Sequence, residues 1–476
     1  MTIKLKKSMI LFVVLYFLMA SLHSETVATP PSNFFDADAG SVQNPFMIAN
    51  LANLRWLSET QDMWGSDNQK THFKQTADID AAETIDWNDG VGFNPIGIYQ
   101  VLLNPYKEIE IPFMGIYDGN NFKTVNLNIN YSAPPIQHIG LFGFTKGSII
   151  KNVHLVQADI KSTVVAGVLV GFASGGDLIF NCTASGTLYA DNGAVSGLVQ
   201  GLTNSTLLAS SSSVDISTRG AFAVGGLVMQ AASSVIKDSY FNGTIKNIAP
   251  NNGGLGLQYG GIIGQAISGS NIENVYANSL ENFDDFTFGV VGRLIDSSTV
   301  KLSFWDTEKT GVSRAVGENE GTIVEVYGLA TDGMKNKNNY TRAGWDFENV
   351  WDINPEINNG YPYLREGIIL NSGDIILPAP NFSMYNYPNP FNPTTTIKFK
   401  IENLELGVNH HPVRIDIFNI KGQKIRSLVD RFYSIGEHSV VWNGNDDYGV
   451  GVSSGVYFYR FETGSHSESK KMLMVK

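Results

Sequence analysis

The chain has 476 residues, 43% of them hydrophobic and only 16% charged, with 48 glycines and one cysteine. So apolar and aromatic a composition excludes a disordered polar tail, and a lone thiol excludes an internal disulfide framework. Residues 25–385 carry 19 Lys/Arg against 36 Asp/Glu, and an acidic body of that kind repels phosphate backbones, so no nucleic acid partner is expected.

Residues 1–24 read as a signal peptide. Lys4, Lys6 and Lys7 form a basic head, Ile10 to Ala20 is an uncharged apolar run, and Ser21 to Ser24 is a small polar exit. The run is too short to span a bilayer, so export through the periplasm is expected, with no transmembrane segment after cleavage. Residues 25–112 read as an N-terminal cap, in which Asn50 N-caps a short helix carrying Leu51, Leu54 and Leu57 on one face.

A repeat follows. A Gly precedes apolar residues at Gly140, Gly167, Gly197, Gly226, Gly261 and Gly289. After each comes an apolar residue and, two positions on, usually a small polar one: Ile150/Asn152, Ile179/Asn181, Leu208/Ser210, Ile236/Asp238, Ile272/Asn274 and Val300/Leu302. An earlier copy fits at Phe122/Thr124. Most steps are 28 or 29 residues, too long for a hairpin pair and too rich in Gly and Val for helices. The spacing predicts a parallel β-solenoid over residues 113–305, of about seven coils, an all-β fold. Ile150, Ile179 and Leu208 should then stack about 4.8 Å apart inside the shaft. The glycines should serve a corner, by backbone freedom or by close packing. The polar residues should form a ladder, broken at Leu302. The one long step, Asp238 to Asn274, absorbs Ala249–Gln258 as an expected surface loop.

Residues 306–366 read as a C-terminal cap, with Trp345, Trp351, Tyr361 and Tyr363 expected to seal the end of the core rather than to bind sugar. Residues 367–385 read as a linker. Residues 386–476 alternate at period two in Ile397/Phe399/Ile401, Ile415/Ile417, Val440/Trp442 and Val456/Phe458, with Gly- and Pro-bearing turns between. That pattern predicts an Ig-like β-sandwich. Pro388, Pro390 and Pro393 lack amide donors and are expected to fix the linker entering the first strand.

Catalytic constellations are sparse. Cys182 has no visible base to activate it. His410-His411 is expected in a loop before a strand and lacks zinc-site spacing. Gly451-Val-Ser-Ser-Gly455 fits Gly-x-Ser-x-Gly, but a strand is expected after it where a nucleophile elbow needs a helix. Glu281, Asp284 and Asp285 form the densest acid cluster on the coils, read as a solvated turn rather than a catalytic pair. That cluster and Asn443–Asp447 carry oxygens of the kind calcium takes. No catalytic, cofactor-binding or metal-binding residue is assigned. The chain is expected to be non-enzymatic, the alternative being a polysaccharide lyase or glycoside hydrolase acting on a solenoid face.

Two resemblances sit on these residues. Over most of residues 40–365 the chain resembles the GLUG motif family of bacterial surface proteins. It does so in Asn44-Pro-Phe-Met-Ile48, Phe73 to Asp80, Phe113-Met-Gly-Ile-Tyr-Asp-Gly-Asn120, the glycine cores, Ser303-Phe-Trp-Asp306, Gly328-Leu and Tyr361-Pro-Tyr-Leu364. It departs at Gly197 and Gly226, where the second core glycine is displaced or absent. The resemblance implies a β-helical fold and a surface location, but no common activity.

Residues 386–476 resemble the C-terminal sorting domain of the type IX secretion system and the related Ig-like module of flagellar hook-cap proteins. The match runs through Tyr387-Pro-Asn-Pro-Phe-Asn-Pro-Thr-Thr-Thr-Ile-Lys-Phe399, Val413 to Gln423, Gly436 to Trp442, Ser454 to Arg460 and Lys470-Lys-Met-Leu-Met-Val-Lys476. It implies the type IX machinery as partner and a secreted or outer-membrane surface location. Attachment to a surface polysaccharide would follow. Together the resemblances suggest an adhesin, with surface glycans as a further partner.

Overall fold

The structure, a computed structural model, describes residues 25–66, 69–103, 106–131, 138–163, 165–191, 193–248, 258–279, 287–368, 384–401, 410–434, 436–463 and 466–475. The expected signal peptide, nearly all of the Ala249–Gln258 insertion, Glu281, Asp284, Asp285 and most of the linker lie outside the described residues.

The body is a parallel β-solenoid of about eight turns. One coil shows the plan. Ile149–Lys151 and His154–Ser162 lie on the first face, Val165–Gly167 on the second and Val170–Ser174 on the third. Equivalent strands pair in parallel along sheets of 17, six and seven strands. On the first face one row runs unbroken through Phe46, Phe73, Tyr117, Ile150, Ile179, Leu207, Ile236, Ile272, Val300 and Ile323. From Ile150 to Val300 every member is 0% exposed. Three strands of this face, Phe46–Ile48, His72–Gln75 and Ile79–Asp80, precede residue 113.

Two positions differ from the sequence reading. Leu207, not Leu208, occupies the inward row, and Leu208 pairs with Phe180 and Lys237 instead. Two adjacent leucines give periodicity nothing with which to choose. The first copy sits at Tyr117 rather than Phe122, because Asn120 and Asn121, both at positive φ, widen that corner. Thr124 instead pairs with Leu155.

The polar ladder has a backbone cause. Asn152, Asn181, Ala209, Asp238, Asn274, Leu302 and Glu325 all hold φ between 47° and 55°, the left-handed region that Asn and Asp tolerate best. Their side chains then bridge coils: Asn181 Nδ2 donates to Asn152 Oδ1 (2.8 Å), Asn152 Nδ2 to Asp118 Oδ1 (2.8 Å), and Asn274 Nδ2 to Asp238 Oδ1 (2.9 Å). Ala209, standing where Ser210 was expected, breaks the ladder as Leu302 does.

The core glycines serve the other purpose. Gly197, Gly226 and Gly261 are not at positive φ. A Cβ on Gly226 would lie 2.1 Å from the Gly261 carbonyl oxygen, and one on Gly261 would lie 2.4 Å from that of Gly289. Glycine is there for close stacking of backbone on backbone.

A second, buried set of rungs uses hydroxyls. Ser205 Oγ donates to the Thr203 carbonyl (2.7 Å) and accepts the Asp177 amide (3.1 Å). Ser234, Ser270 and Ser298 accept the amides of Ser205, Ser234 and Ser270 in turn. In a parallel row Ser210 Oγ accepts the Cys182 amide. Cys182 is thus a buried rung, and burial pushes its thiol up to about 12, which leaves it inert as a nucleophile. Asp177 replaces serine in the first row. It accepts from Thr145 Oγ1 (2.7 Å) and from the amides of Ser174 (2.7 Å) and Ser148, yet burial still raises its carboxyl to about 6.

Asn50 Oδ1 caps the helix Leu51–Glu59 by accepting the Asn53 amide (3.0 Å), and Phe34 and Trp56 pack on Phe46, the first member of the inward row, which stacks on Phe73. Trp345, Trp351 and Tyr361 are buried, but not across the shaft's other end. They pack against the outward row Tyr240, Tyr276 and Phe304 on its side. Asp306 ties this flank together, capping a short helix and accepting from Thr331 Oγ1 (2.8 Å) and Tyr361 OH (2.6 Å). The last strand of the first face, Thr322–Leu329, pairs only with Thr299–Asp306 among the described strands. Its inward residue Ile323 is 42% exposed.

Gly226→Ala should destabilise the body by about 3 kcal/mol, because the Gly261 carbonyl on one side and the buried Phe241 ring on the other block relaxation; thermal unfolding measures this. For Asp177 the sign is set by a folded-state carboxyl raised above its ordinary value. Its ionised form is disfavoured in the fold, so stability is fullest below about pH 4 and is lost as pH rises towards 6. Asp177→Ser removes that titration. Its melting temperature relative to the parent chain should therefore be higher at about pH 7.5 than at about pH 4.5.

Candidate functional site

The C-terminal module is a sandwich of two antiparallel sheets. Met384–Tyr387, Thr395–Ile401 and Gly436–Trp442 form one; Lys424–Ser434, His410–Asn419, Gly455–Thr463 and His466–Met474 form the other. Ile397, Phe399, Ile415, Ile417 and Trp442 fill its core as the alternation predicts. In Gly455–Thr463 the phase is reversed: Tyr457, Tyr459 and Phe461 point inward, while Phe458 is outward. Aromatic residues on both faces of that strand hide the phase from the sequence.

The Pro-Asn-Pro-Phe segment does more than fix an entry. It is the turn between the first two strands, and it clasps the final one. Asn389 Oδ1 accepts the Leu473 amide (2.9 Å), the Phe391 amide donates to the Leu473 carbonyl (3.0 Å), and the Val475 amide donates to the Phe391 carbonyl (2.9 Å). The Phe391 ring is buried beside Trp442, 5.5 Å between centroids. Segments 387–399 and 470–475, far apart in sequence, are thereby joined in one structure. Around them the module exposes many apolar side chains, Tyr385, Tyr387, Phe432, Val441, Tyr448 and Val450 among them. Tyr387 and Val441 flank Thr396 across one sheet.

A family model of secretion system C-terminal sorting domains matches residues 386–476. This module is a type IX secretion sorting domain. The chain also has more distant likenesses. Over 183 residues, 38% of the chain, it is 28% identical to halomucin of Haloquadratum walsbyi, spanning 2% of that protein's length. A solved structure of PorZ, described as an essential surface component of the type IX secretion system of Porphyromonas gingivalis, aligns at 25% identity and TM-score 0.14. The alignment covers 20% of this chain and 12% of that one. An IgA1 protease structure aligns at 17% identity and TM-score 0.39, over 59% of this chain and 20% of that one. Likenesses so partial carry no functional argument. The sorting domain itself implies export and engagement with the type IX machinery.

The other residues singled out in the sequence are dispersed. His410 and His411 open the strand His410–Asn419, opposite Ser434 and Tyr433, rather than lying in a loop before it. Gly451 to Gly455 leads straight into the strand Gly455–Thr463 of the sorting domain. In the Asn443–Asp447 turn, Asp446 Oδ1 accepts the Tyr448 and Val450 amides, and Asp447 Oδ1 accepts the Ser427 amide. Among the described residues no group of three or more His, Cys, Asp or Glu side chains is placed to hold a metal ion. Along the shaft, Asp118, Asp191, Glu273 and Glu318 each face a Lys or Arg at 2.8–3.8 Å.

The sequence gives no sign of one further feature. A cleft of about 330 Å³ opens beside the last strand of the first face, lined by Phe304, Glu325, Tyr327, Leu329, Asn339, Arg342 and Ala343. Its lining comes from two adjacent coils and a flanking helix, Lys337–Arg342, that no periodicity links.

Replacing Asn389 or Phe391 by Ala should loosen the last strand. Hydrogen exchange at the Leu473 and Val475 amides should quicken by about tenfold or more, while the solenoid amides stay protected.

Proposed function

We propose that the chain is an exported surface or secreted protein whose solenoid is a non-enzymatic adhesive or structural shaft, displayed by its sorting domain. The observation that carries this reading is the sorting domain at residues 386–476. The rest follows from how the shaft uses its polar groups. Its Asn, Asp and Ser rungs are engaged in bonds between coils, and four of its outer acids are ion-paired, so their chemistry goes into holding the stack. Glycoside hydrolysis would need a free carboxylate pair across a cleft. Support for the finer description comes from sequence: residues 1–24 as signal peptide, the repeats as GLUG-type coils, and the sandwich as Ig-like and related to the hook-cap module.

Deleting residues 386–476 should trap the body in the periplasm. Attaching those residues to a periplasmic reporter should carry it to the surface or medium. Cell fractionation with surface proteolysis reads both. Normal surface delivery of the truncated chain would refute the sorting role.

A further inference from the structure

We propose that the cleft at Tyr327 is a binding subsite for a neutral glycan. The proposal rests on the adhesive reading of the shaft and gives it a place and a ligand class.

The outward row of the first face ends in aromatic rings. Tyr240 and Tyr276 are covered by Trp351 and Tyr361, and Phe304 by Tyr340 and Trp345. Tyr327, next in register after Phe304, is left 49% exposed, its ring 6.1 Å from that of Phe304. The packed aromatic cluster behind Phe304 makes Tyr327 a rigid platform rather than a loose side chain. A pyranose ring offers such a platform a face of weakly positive C–H groups against the negative π-face.

Planar polar groups ring the platform. Arg342 and Glu325 are exposed, and neither forms an ion pair with a described residue. Asn339 spends its Nδ2 on the Gly333 carbonyl (2.9 Å), which leaves Oδ1 as an acceptor. A guanidinium, a carboxylate and an amide oxygen together offer donors and acceptors for adjacent sugar hydroxyls. Glu325 also stands at the left-handed corner, φ 53°, where three of the six other coils place Asn. Here that corner carries an outward carboxylate at the cleft in place of a rung.

The charge decides which glycan. One cation and one anion leave the cleft itself neutral, and the body around it, with 19 Lys/Arg against 36 Asp/Glu, repels polyanions. At about 330 Å³ the cleft is at the small end of ligand sites, suited to one or two sugar units of a longer chain.

The test is calorimetric titration of the purified full chain. The panel holds neutral hexasaccharides of glucose (α- and β-linked), mannose, galactose and xylose, with polygalacturonate, heparin and an extended Val/Thr-rich peptide alongside. At least one neutral hexasaccharide should bind with a Kd of about 1 mM or tighter. Tyr327→Ala and Arg342→Met should each weaken it about tenfold, and Tyr327→Phe should keep most of it. Tyr448→Ala, which removes a ring 92% exposed in the sorting domain, should leave it unchanged. Silence of every neutral sugar at about 5 mM, full binding by Tyr327→Ala, or tighter binding of the polyanions or the peptide would overturn the proposal. Surface delivery of Tyr327→Ala, measured in parallel, tests the sorting reading separately, since the sorting domain is untouched.

Discussion

The structure depends on backbone amides of one coil meeting carbonyls of the next in unbroken register. Parallel strands at that spacing must place like on like, so each coil has to return to the same point with the same residue facing inward. The near-constant coil length enforces this, and the row from Phe46 to Ile323 is its visible result. Every other local choice serves it. Glycine stands where backbone must lie on backbone, Asn or Asp where the chain must turn left-handed, and Ser where a buried amide needs an acceptor.

Regular stacking also has a cost that the molecule meets unevenly. An all-apolar corner would leave buried amides without partners, so hydroxyls repeat there to accept them. Asp177 satisfies the same amides with a buried charge, and the raised carboxyl shows the penalty. Cys182 fills a rung with a thiol too deeply buried to react. The chain closes one end of the shaft with Phe34, Phe46 and Trp56. It spends its Trp-rich segment on the flank, so among the described residues the strand Thr322–Leu329 pairs on one edge only and the cleft beside Tyr327 stays open.

The sorting domain follows a different logic. Its sheets are antiparallel and local, and its first turn reaches across to hold its last strand. Asn389 supplies a side-chain acceptor, and Phe391 supplies both a backbone pair and a buried ring. Two motifs some eighty residues apart therefore stand or fall together. That is the physical sense in which a secretion signal of this kind is a folded object rather than a peptide tag.

Much of this was legible in the sequence, because repetition writes tertiary contact into linear spacing. The parallel stack, its coil length, the polar ladder and the terminal sandwich all follow from residues recurring at fixed steps. What spacing leaves open is phase. Leu207 and Leu208 are equivalent to a periodicity, as are the two faces of Tyr457 to Phe461, and only packing chose between them. The clasp of Asn389 and Phe391 on Leu473, the placing of Trp345 and Trp351 on the flank, and the meeting of Tyr327 with Arg342 belong to the tertiary structure alone. Each joins segments with no common period, brought together by the way the chain leaves its last coil and turns back along the shaft, or by a sandwich that closes its end onto its beginning.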